Sequence, residues 1–388
     1  MNNRIHLGLI TSFKNLDKVV TSYKFTLNEF SKSFKNLYIV NSDYLKFFPD
    51  NFQNYENLDF GSDLSKKIKF INLENYKAFK QFIHNKKIIL IDTLGNSFPE
   101  MKIRYFLNQE NVELIMISNV GNIQGSAKPV LSKFISYYFF KKIPYLISLM
   151  LYGIGVFKKI KVRFLTNKDI YDNFKKKTFS YVEKILLINS RSFDESKLND
   201  KKIENNSIVF LNPDINHPEW IIKRGFVGQN DEIKIYKIFE IFLDSLYLFY
   251  KKKIIVCIHP YNNLRKIRNL FKKYEVVQFK TVENVRNAHL VVFADSSSIT
   301  DAITLKKRIV CIKKIEMQPK ALNFIPSYHN QGLFEVILKE NFKLNVDGLE
   351  KNILTSIKNY DKLNKRFGIP DGENIGVHKV INYINNNY

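Results

Sequence analysis

A chain of 388 residues exceeds what one compact core holds at ~100–200 residues per domain, so two domains are expected. Hydrophobic residues at 45% and charged residues at 25% match a globular protein and exclude a disordered one. The net charge of +24 invites a polyanion, but the lysines are scattered along the chain among Asn, Ile, Phe and Tyr, as an A/T-rich coding sequence gives whatever the function. Anionic lipid and phosphorylated substrates are the other readings of that charge.

The N-terminus, MNNRIHLGLITS, has no long apolar core or small-residue cleavage site and reads as a first strand, so a cytoplasmic location is expected. Short β-branched runs then alternate with amphipathic stretches, the βαβα pattern of a parallel sheet covered by helices. The expected strands are Ile5–Ile10, Leu37–Val40, Ile68–Leu73, Ile88–Ile91 and Glu113–Ile117. Three of them end in polar or small residues: Thr11 and Ser12, the DTLGN run from Asp92, and SNVGNIQG from Ser118. Ligands of open parallel sheets sit beyond the carboxyl ends of strands, so these loops bound a first-domain site; ordinary Gly/Asn turns are the alternative for each.

Ile143 to Phe157, IPYLISLMLYGIGVF, is uncharged and bracketed by Lys141, Lys142, Lys158 and Lys159. It is shorter than the ~20 apolar residues of a membrane span, which leaves a buried helix, or a helix lying at a bilayer surface with its lysines turned to headgroups. Lys158 to Lys202 is basic and weakly periodic apart from a strand-like run at Lys184–Asn189, and a domain boundary is expected there. The expected division is a Rossmann-like acceptor domain over 1–180, a Rossmann-like nucleotide-donor domain over 181–340, and a helical tail over 341–388 that crosses back to the first domain.

The second half opens with a strand at Ser207–Leu211 and a long amphipathic helix from about Glu232 to Tyr250. Strands at Lys253–Ile258, Glu275–Gln278, Leu290–Phe293 and Arg308–Ile312 then alternate with helices over Asn262–Lys273, Val282–Asn287 and Ser297–Leu305. Cys257 and Cys311, the two cysteines, fall inside apolar strands and read as buried thiols of a reduced compartment, neither ligands nor nucleophiles.

Two runs carry the chemistry: IIVCIHPYNN (254–263) and FKTVENVRNAHLVVFADSSSITDAITLKKRIVCI (279–312). The first delivers His259 and Pro260 to the carboxyl end of a strand, where proline blocks its continuation. The second delivers Asp295, Ser296, Ser297 and Ser298 to the same edge, just before a helix. Hydroxyls and unsatisfied N–H groups at a helix start suit a phosphate, and serine also caps helices for purely structural reasons.

Together, the His-Pro pair, the Thr/Glu-bearing helix and the strand running into Asp-Ser-Ser-Ser resemble the C-terminal domains of bacterial GT-B glycosyltransferases of surface polysaccharide synthesis. Those include the CMP-sugar-using sialyltransferases and Kdo transferases and, more distantly, CDP-glycerol glycerophosphotransferases; the resemblance covers roughly 207–315. It implies an α/β fold of two doubly wound Rossmann-like domains facing a cleft, and a nucleotide site made by His259, Pro260, Ser296, Ser297 and Ser298 at the phosphate, with Thr281 and Glu283 near the base or ribose. Glu283 reads equally as a solvated helix residue. Asp301, one turn into the serine helix, would orient a serine or face solvent.

VFLNPDINHPEW (209–220) resembles the strand and second His-Pro-acid of uncharacterised surface-carbohydrate transferases, with Asn212 where Asp is usual, which speaks against position 212 as a base. Asp214, His217 and Glu219 are candidates for acceptor deprotonation or phosphate contact, or are loop residues. A general base commonly comes from the first domain of such enzymes, and Asp92 is the residue there that best suits it.

The chain has no Asp-x-Asp, no P-loop, no Cys-x-x-Cys or His-x-x-x-His, and fourteen glycines, too few for a dinucleotide fingerprint. A metal-independent reaction without cofactor is therefore expected. The expected partners are a CMP-linked sugar donor, a glycan or lipid-linked acceptor and the inner face of the cytoplasmic membrane, with no nucleic acid. A CDP-alcohol phosphotransferase, a nucleotide-sugar 2-epimerase and a non-catalytic polyanion-binding protein are the alternatives.

Overall fold

The computed structural model describes residues 2–11, 16–42, 67–72, 76–84, 86–94, 98–118, 143–176, 181–198, 204–213, 215, 227–259, 262–317, 321–323, 332–372 and 374–388. They form two compact α/β units, divided between Arg191 and Ser192, with the segment after Gly372 returning to the first.

In the first unit the strands are β1 (Asn2–Thr11), β2 (Phe34–Asn41), β3 (Ile68–Asn72), β4 (Ile88–Asp92), β5 (Glu113–Ser118), β6 (Ile160–Leu165) and β7 (Val182–Leu187). They make one sheet in the order β3-β2-β1-β4-β5-β6-β7, parallel throughout. The helices are α1 (Leu16–Ser33), α2 (Tyr76–Ile83), α3 (Phe98–Gln109), α4 (Ile143–Gly153) and α5 (Lys168–Lys175). Both faces of the sheet are covered, so the central strands are continuous apolar runs: all five residues of β4 are buried. In β1 the chain passes close to β4: a Cβ at Gly8 would stand 2.6 Å from Cδ2 of buried Leu90, which would have to shift.

The second unit opens with α6 (Arg191–Leu198), whose first residue lies at the division. It continues through β8 (Ser207–Leu211), α7 (Gln229–Tyr250), β9 (Lys253–Ile258), α8 (Leu264–Leu270), β10 (Glu275–Gln278), α9 (Thr281–Asn287), β11 (Ala288–Phe293), α10 (Ile299–Thr304) and β12 (Arg308–Glu316). β13 (Ala321–Asn323), β14 (Glu335–Lys339), α11 (Val346–Ile357) and α12 (Tyr360–Phe367) follow. Sheet order is β10-β9-β8-β11-β12-β13, parallel except for β13, with β14 also pairing along β12.

α7 shows why this unit folds. Ile235, Ile238, Phe239, Phe242, Leu243 and Leu246 recur at three- and four-residue spacing and are buried against the apolar faces of β8, β9 and β11. Each such side chain contributes about 1.5–3 kcal/mol. The helix stops where Lys251 turns left-handed, at φ 52°, and donates its N–H to the Tyr247 carbonyl. The last helix, α13 (Gly376–Asn387), belongs to the first unit, where His378 lies 3.9 Å from Glu29 of α1.

The strands expected in the first half are present with ends shifted by a few residues, and the weakly periodic basic stretch contains β6 as well as β7. In β6, Ile160, Val162 and Phe164 are buried while Lys161 and Arg163 are half-buried, an alternation that the surrounding lysines obscure. Cys257 and Cys311 are free and buried. Burial, with Glu275 nearby, pushes the Cys257 thiol up to about 12, so neither sulfur is poised to react. No helix of the described residues is long and apolar enough to cross a membrane.

Candidate functional site

Among the described strands the chain reverses its direction of progress between β1 and β4 in the first sheet and between β8 and β11 in the second. Beyond the carboxyl ends of strands at such a reversal, α/β sheets open a crevice where ligands bind.

In the second sheet the register fixes what meets there. Leu211 of β8 is level with Cys257 of β9 and with Phe293 of β11, and Gln278 of β10 is level with Ile258. Asn212, His259, Phe279 and the Ala294–Ser298 turn therefore leave one edge together. At ~4.8 Å between neighbouring strands, His259 and the serine turn start about 10 Å apart, with β8 between them, a span suited to a nucleotide phosphate and its sugar.

His259 is exposed, and its backbone is tightly held. Its N–H donates to Asn262 Oδ1 at 2.9 Å, its carbonyl accepts from the Asn262 N–H at 2.9 Å, and Gln278 Nε2 donates to the carbonyls of His259 and Asn262 at 3.3 and 3.1 Å. Phe279 then adopts φ 67°, a left-handed conformation that a bulky side chain seldom takes. It turns the chain towards Lys280 and Thr281, the first residue of α9. Thr281 is half-buried and Glu283 is exposed on the first turn.

Ser296 and Ser298 are half-buried and Ser297 is exposed. Ser296 Oγ accepts from the Ser298 N–H at 3.3 Å, and the Ser296 carbonyl from the Ile299 N–H at 3.2 Å. Ser298 stands at the N-cap of α10 in helical conformation and makes no side-chain capping bond. The serines lie in a turn ahead of α10 rather than inside it, so α10 begins at Ile299 and not, as expected, at Ser297. Asp301 accepts a hydrogen bond from the Ser192 hydroxyl of α6, so it orients a serine, though not one of the three in the turn.

Asn212 is 5% exposed. Its amide nitrogen reaches the Tyr236 hydroxyl at 3.4 Å, while Oδ1 is buried with no partner among the described residues, a state that usually costs ~1–3 kcal/mol. Only the topology, not the residue type, could have marked this acceptor in the sequence. Pro260, Asp214, His217 and Glu219 lie outside the described residues.

The first sheet's edge is different. Asp92, at the end of β4, is 4% exposed; Arg104 of α3 donates from Nε to Oδ2 at 2.9 Å and from Nη2 to Oδ1 at 3.3 Å, and the Leu94 N–H donates to Oδ1 at 2.8 Å. Arg104 Nη2 also donates to the Leu94 carbonyl at 2.8 Å. Thr93 Oγ1 donates to the Ile10 carbonyl and Ser42 Oγ to the Thr11 carbonyl, at 2.7 and 2.9 Å. A cavity of about 270 Å³ in this unit is lined by Arg104 and extends to Glu113, Lys161 and Glu183 at the amino ends of β5, β6 and β7.

No protein-family model matches the sequence, and no curated protein does. Solved structures do match over almost the whole chain. The wall teichoic acid polymerase TagF is similar at TM-score 0.56 and 15% identity, over 99% of this chain and 90% of that one. MnaA of S. aureus, solved with UDP, is similar at 0.53 and 12%, over 98% and 95%. The UDP-GlcNAc 2-epimerase of Neisseria meningitidis, bound to UDP-GlcNAc, is similar at 0.50 and 12%, over 99% and 100%. At such identities the shared property is the fold: this chain is an α/β protein of two parallel-sheet, Rossmann-like domains, the architecture of GT-B-type enzymes.

Proposed function

We propose that the protein is a glycosyltransferase that takes a sugar from a pyrimidine-nucleotide donor, with the donor phosphate held at the carboxyl edge of the second sheet. The observation that carries this reading is the convergence of His259, Thr281 and Ser296–Ser298 on that one edge, at the reversal between β8 and β11. The resemblance of the motifs points to CMP as the leaving nucleotide, whereas two solved proteins of similar fold hold UDP or UDP-GlcNAc. A pyrimidine base is common to both.

In the proposed reaction an acceptor hydroxyl attacks the anomeric carbon, the bond from that carbon to the phosphate oxygen breaks, and the nucleotide leaves with the electron pair. His259 and the hydroxyls and N–H groups of the serine turn stabilise the charge that develops on the phosphate. Asn212 Oδ1, buried and without a partner among the described residues, accepts a hydrogen bond from a sugar hydroxyl. The acceptor proton goes to a carboxylate or imidazole on the loop after β8, which carries Asp214, His217 and Glu219. Asp92 we assign to positioning, since both of its oxygens are taken by Arg104 and the Leu94 N–H. The acceptor is a surface glycan or its lipid-linked precursor. The absence of Asp-x-Asp from the chain supports transfer without a divalent metal, so activity is expected to survive EDTA.

A second reading, a CDP-alcohol phosphotransferase attacking at phosphorus, is favoured by the similarity to a teichoic acid polymerase. Incubation with CMP-, CDP- and UDP-linked donors and a glycan acceptor, followed by mass analysis, separates the two. Glycosyl transfer yields a product without phosphate from the donor; phosphotransfer adds a phosphodiester. Donor conversion to an epimer without any acceptor would refute both.

A further inference from the structure

α4 divides its apolar residues between two environments. Ile147, Leu151 and Tyr152 pack with Met101, Phe157 and Tyr181 in a small core of the first unit. Leu146, Met150 and Ile154 are instead 50%, 60% and 64% exposed. They are spaced four residues apart, and the Ile154 N–H still donates to the Met150 carbonyl at 3.0 Å, so the helical path continues through all three. At 100° per residue they fall within an arc of about 80°, one continuous stripe.

We propose that this stripe is where the protein docks on an anionic lipid bilayer, with α4 lying along the surface. Leu146, Met150 and Ile154 enter the boundary between headgroups and acyl chains, and Lys158 and Lys159 meet lipid phosphates. Three features on the same segment favour lipid over other occupants. The segment from Ile143 to Phe157 holds no charged residue, while lysines bracket it at 141, 142, 158 and 159. Lys158 and Lys159, four and five residues after Ile154, are exposed, and Lys158 Nζ also donates to Asn111 Oδ1. An eleven-residue helix is about 16 Å long, half of the ~30 Å hydrocarbon core, so it can lie on a bilayer but cannot cross one. A second copy is a poorer occupant, because a two-fold contact through this stripe would bring like lysine clusters together with no carboxylate in the segment to offset them. The proposal is independent of the transferase reading.

The test is co-sedimentation of the full chain with phosphatidylcholine vesicles, with and without phosphatidylglycerol, at physiological and at high salt. Because the net charge of +24 gives some adsorption to any anionic surface, the variants decide. The neutral triple change Leu146→Ser, Met150→Ser and Ile154→Ser is expected to lower partitioning onto phosphatidylglycerol vesicles by roughly tenfold or more, and to abolish the part that survives high salt. Lys158→Ala with Lys159→Ala is expected to lower it by about fivefold per lysine at physiological salt. Leu248→Ser, which removes an equally exposed side chain at the end of α7, is expected to leave binding unchanged. Melting temperatures identify any variant that fails to fold; single serine changes at 150 and 154 then replace the triple. Unchanged partitioning of the α4 variants, an equal loss with Leu248→Ser, or a dimer in sedimentation velocity that the triple variant abolishes would each overturn the proposal.

Discussion

The two sheets reach the same topological point with different side chains around it. At the carboxyl edge of the first, Thr11, Ser42, Asp92 and Arg104 are buried, and with Thr93 they satisfy one another or neighbouring backbone. At the carboxyl edge of the second, His259 and Ser297 are exposed, Ser298 makes no side-chain capping bond and Asn212 Oδ1 is buried with no partner among the described residues. A buried polar atom without a partner costs stability, so Asn212 Oδ1, beside the exposed His259 and the serine turn, marks the second edge as the candidate binding edge. The first edge therefore holds backbone in place, and the second is the one we propose for binding.

The largest effect should come from breaking the sealed edge. Arg104→Ala leaves the Asp92 carboxylate buried without its cation and is expected to destabilise the protein by about 3–5 kcal/mol in denaturant unfolding. Arg104→Met combined with Asp92→Asn should recover most of that loss, and neither change should alter nucleotide affinity by more than a few-fold in whatever fraction stays folded. The open edge should show the reverse. Ser297→Ala with Ser298→Ala is expected to weaken nucleotide binding by roughly tenfold, the worth of one charge-assisted hydrogen bond, while the unfolding free energy moves by less than about 0.5 kcal/mol.

A smaller effect sharpens the contrast from the far side of the second sheet. His289, at the amino end of β11, packs edge-on against Tyr250. Burial, with Arg308, Lys252 and Lys307 close by, lowers its pKa to about 4. The unfolded chain binds a proton near pH 6.5 that the folded one refuses until about pH 4, so this contribution is complete above pH 6.5 and is lost as pH falls towards 4. Its size is roughly 1–2 kcal/mol once solvent screening is allowed for. Unfolding followed across that range should lose part of its slope in His289→Asn, while the nucleotide edge is unaffected. Smallest of all, Cys257 and Cys311 should resist a thiol reagent in the folded protein and react together on unfolding, because both are buried.

Much of the fold was legible because parallel strands covered on both faces are runs such as IIVCI and LVVF, and because α7 repeats its apolar residues at helical spacing. β6 was not, since Lys161 and Arg163 alternate with its apolar residues, and neither was β14, whose apolar run is only Val336–Leu338 between Glu335 and Lys339. Of the candidate site, the places of His259 and the serine turn at strand ends could be read. The pairing of Asp92 could not: its partner Arg104 lies twelve residues away on α3, and only packing brings them together. Nor could the left-handed Phe279, since sequence carries no mark of a strained φ at a bulky residue.

Calorimetric titration with CMP, CDP, UDP and GDP, on the unaltered protein, on His259→Ala and on Asp92→Asn, tests most directly the claim that the second sheet's edge is the one that binds. The account predicts binding of a cytidine or uridine nucleotide in preference to GDP, weakened roughly tenfold or more by His259→Ala and little by Asp92→Asn. Binding lost in Asp92→Asn and kept in His259→Ala, or no binding of any of the four nucleotides, would contradict it.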